Sequence, residues 1–282
     1  MRARREEADV RRVIAAVVFL LALGAAVAPQ PGLAQAYPPN EAGVTMGHWH
    51  LNSRDVEVTK KILVAMGGTA MKAGNFQVVK FPGVFVFLHL GQGAAPATGG
   101  TVGTVVNHVG FLVPNVQDAI AKWKAAGVPV EPGGNGRLDQ AFVTTPDGLR
   151  IEILEDKSQT IPIKHHHIHF YVPGDQIPKI QAWYARYFGA KPGMRGQNVA
   201  ADIPGANLSF TKTDTPAIST RGRVLDHIGF DVKNLENFCK NLQAQGVKIE
   251  RPYTKNDNGT GICFVSDPWG TLIELNERPK PL

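Results

Sequence analysis

The stretch Asp226-His227-Ile228-Gly229-Phe230-Asp231-Val232-Lys233-Asn234 decides how this chain is read, because it recurs upstream as Asn107-His108-Val109-Gly110-Phe111-Leu112-Val113-Pro114-Asn115. The two histidines stand 119 positions apart, and so do His48 and His167, which open two further apolar stretches. Strand-opening histidines therefore recur at steps of 60, 59 and 60. Self-similarity at a fixed period marks a repeated structural unit. The spacing predicts four copies of one unit, paired in sequence order into two halves.

Each copy reads as a strand, a helix and up to three further strands. After His48-Trp49-His50-Leu51-Asn52, Ser53 is placed to cap a helix whose apolar stripe is Val58, Ile62 and Met66. Asn115 and Asn234 take the same capping position in the second and fourth copies, and Gly127, Gly189 and Gly246 stop the helices. The second and fourth copies close on Pro146-Asp147-Gly148-Leu149-Arg150-Ile151-Glu152 and Pro268-Trp269-Gly270-Thr271-Leu272-Ile273-Glu274. A polar segment, Lys157 to Lys164, separates the halves.

Alternate residues of a strand face opposite ways. Ile228, Phe230 and Val232 share one face, and His227, Gly229 and Asp231 share the other. The same split sets His108, His167, His48 and, on a later strand, His89 apart from their apolar neighbours, and it isolates Glu152 and Glu274 on the closing strands. The apolar faces must cover the helices. The His/Glu faces then look inward into an open cup. Neutral imidazole and carboxylate are the ligands that Fe(II), Mn(II), Zn(II) and Ni(II) accept. Solvated histidines at the mouth of a groove are the alternative, against which the constant spacing and the two closing glutamates argue.

The motifs His-x-Gly-Phe-x-Val and Pro-x-Gly-x-x-Ile-Glu resemble the vicinal oxygen chelate superfamily, which includes glyoxalase I, bleomycin-resistance proteins and type I extradiol dioxygenases. The likeness runs from about Thr45 to Glu277. It implies an α+β fold of four βαβββ modules paired into two domains, 37–156 (modules one and two) and 157–282 (modules three and four). It also implies a divalent metal ion (Fe2+, Mn2+, Zn2+ or Ni2+). By that likeness the C-terminal pair offers His167, His227 and Glu274, with Ser209 at a fourth position. The N-terminal pair offers His48, His108 and Glu152, with His89 at the fourth.

His50 and His169 fall two residues after a proposed ligand on the same strand face, and are expected to act as general base or to orient substrate. Ring-cleaving relatives carry a tyrosine where this chain has Phe264, and no histidine lies between His169 and His227. The resemblance therefore implies a metalloenzyme, of lyase, isomerase or dioxygenase type, acting on a small oxygenated molecule. A non-catalytic binder of the bleomycin-resistance type is the competing expectation.

Arg2, Arg4, Arg5, Arg11 and Arg12 precede an apolar run of 16 residues, Val13 to Ala28, and Ala34-Gln35-Ala36 offers a cleavage site. Residues 1–36 read as a secretory signal peptide, too short in its apolar part for a span of about 20 residues. The mature protein is expected to be secreted or periplasmic and free of the membrane. Its formal charge falls from +6 to +4 with loss of five arginines and three acids, and no basic cluster marks a nucleic-acid partner. A small-molecule substrate is the expected partner, with room left for a homodimer. Cys239 and Cys263, lacking metal or redox spacing, are expected to be buried free thiols.

Overall fold

The computed structural model describes residues 37–90 and 97–279; the expected signal segment lies outside them. Module one is β1 (Val44–Asn52), α1 (Val56–Ala65), β2 (Thr69–Ala73), β3 (Phe76–Phe81) and β4 (Val84–His89). Module two is β5 (Val106–Val113), α2 (Val116–Ala125), β6 (Val130–Pro132), β7 (Gln140–Thr144) and β8 (Arg150–Glu155). Module three is β9 (Lys164–Val172), α3 (Ile177–Phe188), β10 (Lys191–Arg195), β11 (Asn198–Ile203) and β12 (Ala206–Lys212). Module four is β13 (Leu225–Val232), α4 (Leu235–Ala244), β14 (Lys248–Lys255), β15 (Gly261–Ser266) and β16 (Leu272–Glu277). All four copies are complete βαβββ units. Among the described residues no helix is long and apolar enough to cross a membrane.

Besides β11, the strands that sequence reading passes over are β2, β6, β10 and β14, the outermost strand of each module. They are mostly solvent-facing and include Lys-Pro-Gly-Met-Arg, which lacks the period-2 apolar signal. Helix starts also differ. The carboxylate of Asp55, not Ser53, accepts the Val58 N–H at 3.0 Å, and the Ser53 hydroxyl instead donates to Asp147 at 2.6 Å. Asn115 caps α2 as expected, accepting from Asp118 N–H at 3.1 Å. Asn234 stands at the start of α4 with φ 53° and no side-chain capping bond. The Glu277 carboxylate accepts from Asn234 N–H at 2.7 Å and Leu235 N–H at 3.3 Å in its stead.

The module pairing departs from sequence order. One sheet runs β14-β15-β16-β13-β1-β4-β3-β2, so module four joins module one; the other runs β10-β11-β12-β9-β5-β8-β7-β6, so module three joins module two. The division into 37–156 and 157–282 is therefore corrected: neither sheet is confined to either half. A period fixes which residues are equivalent, not which modules touch. The short connector 156–163 delivers β9 antiparallel beside β5. That leaves the open edges of β1 and β13 to satisfy each other. The connectors between modules one and two and between three and four also cross-link. Thr98 N–H donates to Gly222 O and Val224 N–H to Gly99 O, both at 2.9 Å.

The helices lie on the apolar faces, where Trp49, Phe111, Phe170 and Phe230 are fully buried. Cys239 and Cys263 are buried and free, as expected. A polar tie crosses between sheets: Tyr184 of α3 donates its hydroxyl to buried Asp267, before β16, at 3.0 Å. Asp267 also accepts from Thr271 N–H at 2.8 Å and Trp269 N–H at 3.0 Å. Removing a carboxylate that serves three donors, two of them in buried hydrogen bonds, strands all three. Asp267→Ala is expected to lower unfolding free energy by about 3 kcal/mol, read from denaturant melts; a loss below about 0.5 kcal/mol would refute this role.

Candidate metal centres

Pairing of modules one and four brings His48 and His50 on β1, His227 on β13 and Glu274 on β16 together, with one ligand atom from each inside a 4.8 Å sphere of mutual distance. Pairing of modules two and three does the same for His167 and His169 on β9, His108 on β5 and Glu152 on β8. The sets expected from sequence order, His167 with His227 and Glu274, and His48 with His108 and Glu152, are each divided between the two sheets. The correction follows from the pairing: every residue keeps its face and its strand, and exchanges its partner.

Glycine makes the convergence feasible. Gly229 is paired on one side with His48 and on the other with Glu274, and Gly110 likewise lies between His167 and Glu152. A Cβ on Gly229 would overlap the His48 ring, and one on Gly110 the His167 ring. The Gly of the repeated His-x-Gly is thus the floor on which an imidazole from the neighbouring module lies.

The distances suit a shared cation. His227 Nε2 and His48 Nε2 stand 2.8 and 3.3 Å from Glu274 Oε2. His167 Nε2 and His108 Nε2 stand 2.9 and 3.4 Å from Glu152 Oε2. Ligands about 2.1 Å from one ion are separated by about 3.0 Å at right angles and about 3.4 Å in a tetrahedron. Glu152 Oε2 and His167 Nε2 approach closely but form no hydrogen bond, and with His48 Nδ1 and His50 Nε2 they are buried polar atoms without a partner. Buried polar atoms are nearly always satisfied, so Glu152 Oε2, His167 Nε2 and His50 Nε2 call for a further partner. The donor set, two imidazoles and a carboxylate with a third imidazole alongside, fits a divalent transition ion.

Neighbouring groups orient these ligands. His227 Nδ1 donates to Asp226 at 2.7 Å, and His108 Nδ1 to Asn107 at 2.9 Å, which turns each Nε2 toward its glutamate. The second oxygen of Glu274 accepts from Asn276 at 2.8 Å, and that of Glu152 from Gln140. Asp226 and Asn107 immediately precede the motif histidines, a signal readable in the sequence and passed over. Arg195, 4.0 Å from Glu152 and 3.3 Å from His169 Nδ1, lies on an edge strand that the sequence pattern does not reveal.

His50 and His169 join the clusters, as placed by alternation. His89 does not: it pairs with Asn52, two residues beyond the position level with His50, which Phe87 fills. Its ring sits 4.4 Å from that of His50, outside the four-residue group. Ser209 is level with His169, as the fourth position requires, and there accepts a hydrogen bond from Arg195 Nε at 2.6 Å. Phe264 faces the first centre, its ring 5.3 Å from His227.

Residues 164–275 match the family described as Glyoxalase/Bleomycin resistance protein/Dioxygenase superfamily. This segment belongs to that superfamily. The fold extends the likeness over both sheets. Glyoxalase I from Zea mays superposes with a TM-score of 0.66 at 16% identity, over 83% of this chain and 92% of that one. A putative dioxygenase from Bacillus subtilis subsp. subtilis str. 168 gives 0.61 at 17% identity, over 84% and 86%. No curated protein matches by sequence.

Burial works against charge on these rings and holds His48 below, and His50 and His167 well below, the ordinary imidazole value; His169 is brought down to about 3. At His227 burial is outweighed by hydrogen bonds to Asp226 and Glu274, which push the ring up to about 9. A folded value above the unfolded 6.5 means that, with no cation bound, His227 contributes stability present below pH 6.5 and lost as pH rises through 9. The lowered histidines contribute in the opposite sense, losing stability as pH falls below 6.5.

Chelator-treated protein is therefore expected to be most stable near neutrality and to lose up to about 3 kcal/mol by pH 9.5. His227→Gln should remove the alkaline loss in denaturant melts, and an unchanged slope would contradict the assignment. Gly229→Ala should displace His48 and abolish cation binding at the first centre alone, whereas Gly134→Ala, surrounded by open space, should not. Equal cation content in both variants would refute that account.

Proposed function

We propose that the protein is a divalent-metal enzyme with two mononuclear centres, acting on a small molecule that presents two adjacent oxygens. What supports this most is that one constellation is built twice: two imidazoles and a carboxylate with lone pairs converging on one point, and with atoms there unsatisfied. His48, His227 and Glu274 would hold the first ion, and His167, His108 and Glu152 the second. A bound dication supplies Lewis-acid polarisation of the two oxygens and neutralises the buried carboxylate.

At the first centre His50 is the group suited to move a proton. Its Nε2 is buried without a partner, and burial keeps the ring neutral. A neutral imidazole beside a polarised substrate can accept a proton from carbon or oxygen. His169 is less free, since its Nδ1 meets His108 Nε2 at 3.0 Å and its Nε2 meets the Thr211 hydroxyl at 2.8 Å; it would orient. Phe264 and Phe142 occupy the strand positions opposite the two glutamates, so neither offers a phenol for ring-cleaving chemistry. The reading is thus a lyase or isomerase, with residues 1–36 directing the protein out of the cytoplasm and leaving Tyr37 as the mature N-terminus.

Elemental analysis tests it. Wild-type protein should carry two equivalents of Fe, Mn, Zn or Ni after reconstitution, and Glu274→Ala and Glu152→Ala one each. No stoichiometric metal in wild type would overturn the proposal, and ligand binding indifferent to chelator would favour a sequestering protein instead. Oxygen consumption with catechols is expected to be absent.

A further inference from the structure

The two centres are built alike and charged differently. Strand register makes Arg195 the counterpart of Ala73, Ser209 that of Phe87 and Arg150 that of Leu272. The residue behind the motif histidine is Asp226 at the first centre and Asn107 at the second. A dication at the first centre is balanced by Glu274 and Asp226, leaving no net formal charge, and the nearby Arg278 is spent on Asp231 at 3.1 Å. At the second centre Glu152 alone faces the dication and Arg195, leaving two positive charges.

Arg195 is held for recognition. Its Nε donates to Ser209 at 2.6 Å and its Nη2 reaches toward Glu152 and His169, while among the described residues Nη1 has no hydrogen-bond partner. Arg150 stands on the opposite wall, its guanidinium 4.1 Å over the Phe142 ring and its buried Nε unpartnered. Phe142 in turn contacts the His108 ring edge-on. Two guanidiniums with unused donors at the rim of one cup, and none at the matching positions of the other, are a local excess of positive charge with little water to screen it.

We infer that the second centre is an anion receptor, taking a small carboxylate between its cation and Arg195, and that the first centre is not. This rests on the metal reading above. A guanidinium fork matches the two oxygens of a carboxylate, and a buried pair of this kind is stronger than one in water. The first cup has Phe87 and Leu272 at those positions, neither of which offers a charged donor.

The experiment uses metal-reconstituted single-centre proteins and oxalate as the probe. Glu274→Ala keeps only the second centre and Glu152→Ala only the first. Metal content is measured before each calorimetric titration; less than one equivalent in either protein sinks the metal reading and this inference with it. With one equivalent in both, oxalate should bind the second centre about ten- to a hundredfold more tightly than the first. Adding Arg195→Gln to the Glu274→Ala protein should remove that advantage with metal content unchanged, and Arg195→Lys should restore part of it. Should Arg195→Gln fail to fold, Arg150→Gln serves, with a smaller loss expected. Equal oxalate affinities at the two centres, or an advantage that survives Arg195→Gln, would overturn the inference while leaving the metal reading intact.

Discussion

Everything at the two centres depends on a missing side chain. Gly229 and Gly110 each lie in the middle of three adjacent strands, with an imidazole on one neighbour and a carboxylate on the other. Strands in a sheet are about 4.8 Å apart, so residues two strands distant are nearly 10 Å apart at the backbone. Two side chains that must meet across that span have to lie over the middle strand. Any Cβ there would occupy the space of the ring. The His-x-Gly-Phe motif is therefore one device with three parts: a ligand of its own, a floor for the partner module's ligand, and an aromatic anchor on the other face.

That device explains what was legible in the sequence. The period located His48, His108, His167 and His227, and alternation assigned each to the cup face, because both signals are local to a strand. Which module supplies the opposing imidazole is not local. The numbers 60, 59 and 60 are equally compatible with joining neighbours or with joining first to last, and sequence order was the wrong guide. The choice is made by the eight-residue connector 156–163 and by hydrogen bonds between the segments around Thr98 and Gly222, neither of which carries periodicity. His89 failed for a different reason. It shares a face with Phe87, and alternation alone cannot tell position i from i+2 when helix and loop lengths differ between copies. The register can.

Burial of so many titratable groups has a consequence for folding. Every ring in the two clusters is nearly shielded from water, and several ligand atoms lack partners. Shielding an unsatisfied polar atom costs on the order of 1–3 kcal/mol, so clusters of them oppose folding unless something fills the gap. Protons do so in part. His227, gripped by Asp226 and Glu274, keeps one well into the alkaline range, whereas His50 and His167 shed theirs. A cation held by two imidazoles and the glutamate would satisfy those three groups together and replace that proton. Ion binding and fold stability are thereby coupled in the manner usual for sites that exist only in the folded chain.

The internal repeat also decides what the two centres are free to become. Were the cups formed by two identical two-module chains, the symmetry would force every lining residue to appear in both. Here the four modules are separate stretches of one sequence, so Asp226 and Asn107 occupy the same place behind equivalent histidines while differing by a full charge. Arg195 and Ala73 do likewise on equivalent edge strands. The ligand skeleton is restrained at both centres by the same glycine, the same register and the same glutamate. The charge around it has no such restraint. Shared geometry with unshared charge lets one chain build two cups that are alike in their ligand skeleton and unlike in their electrostatics.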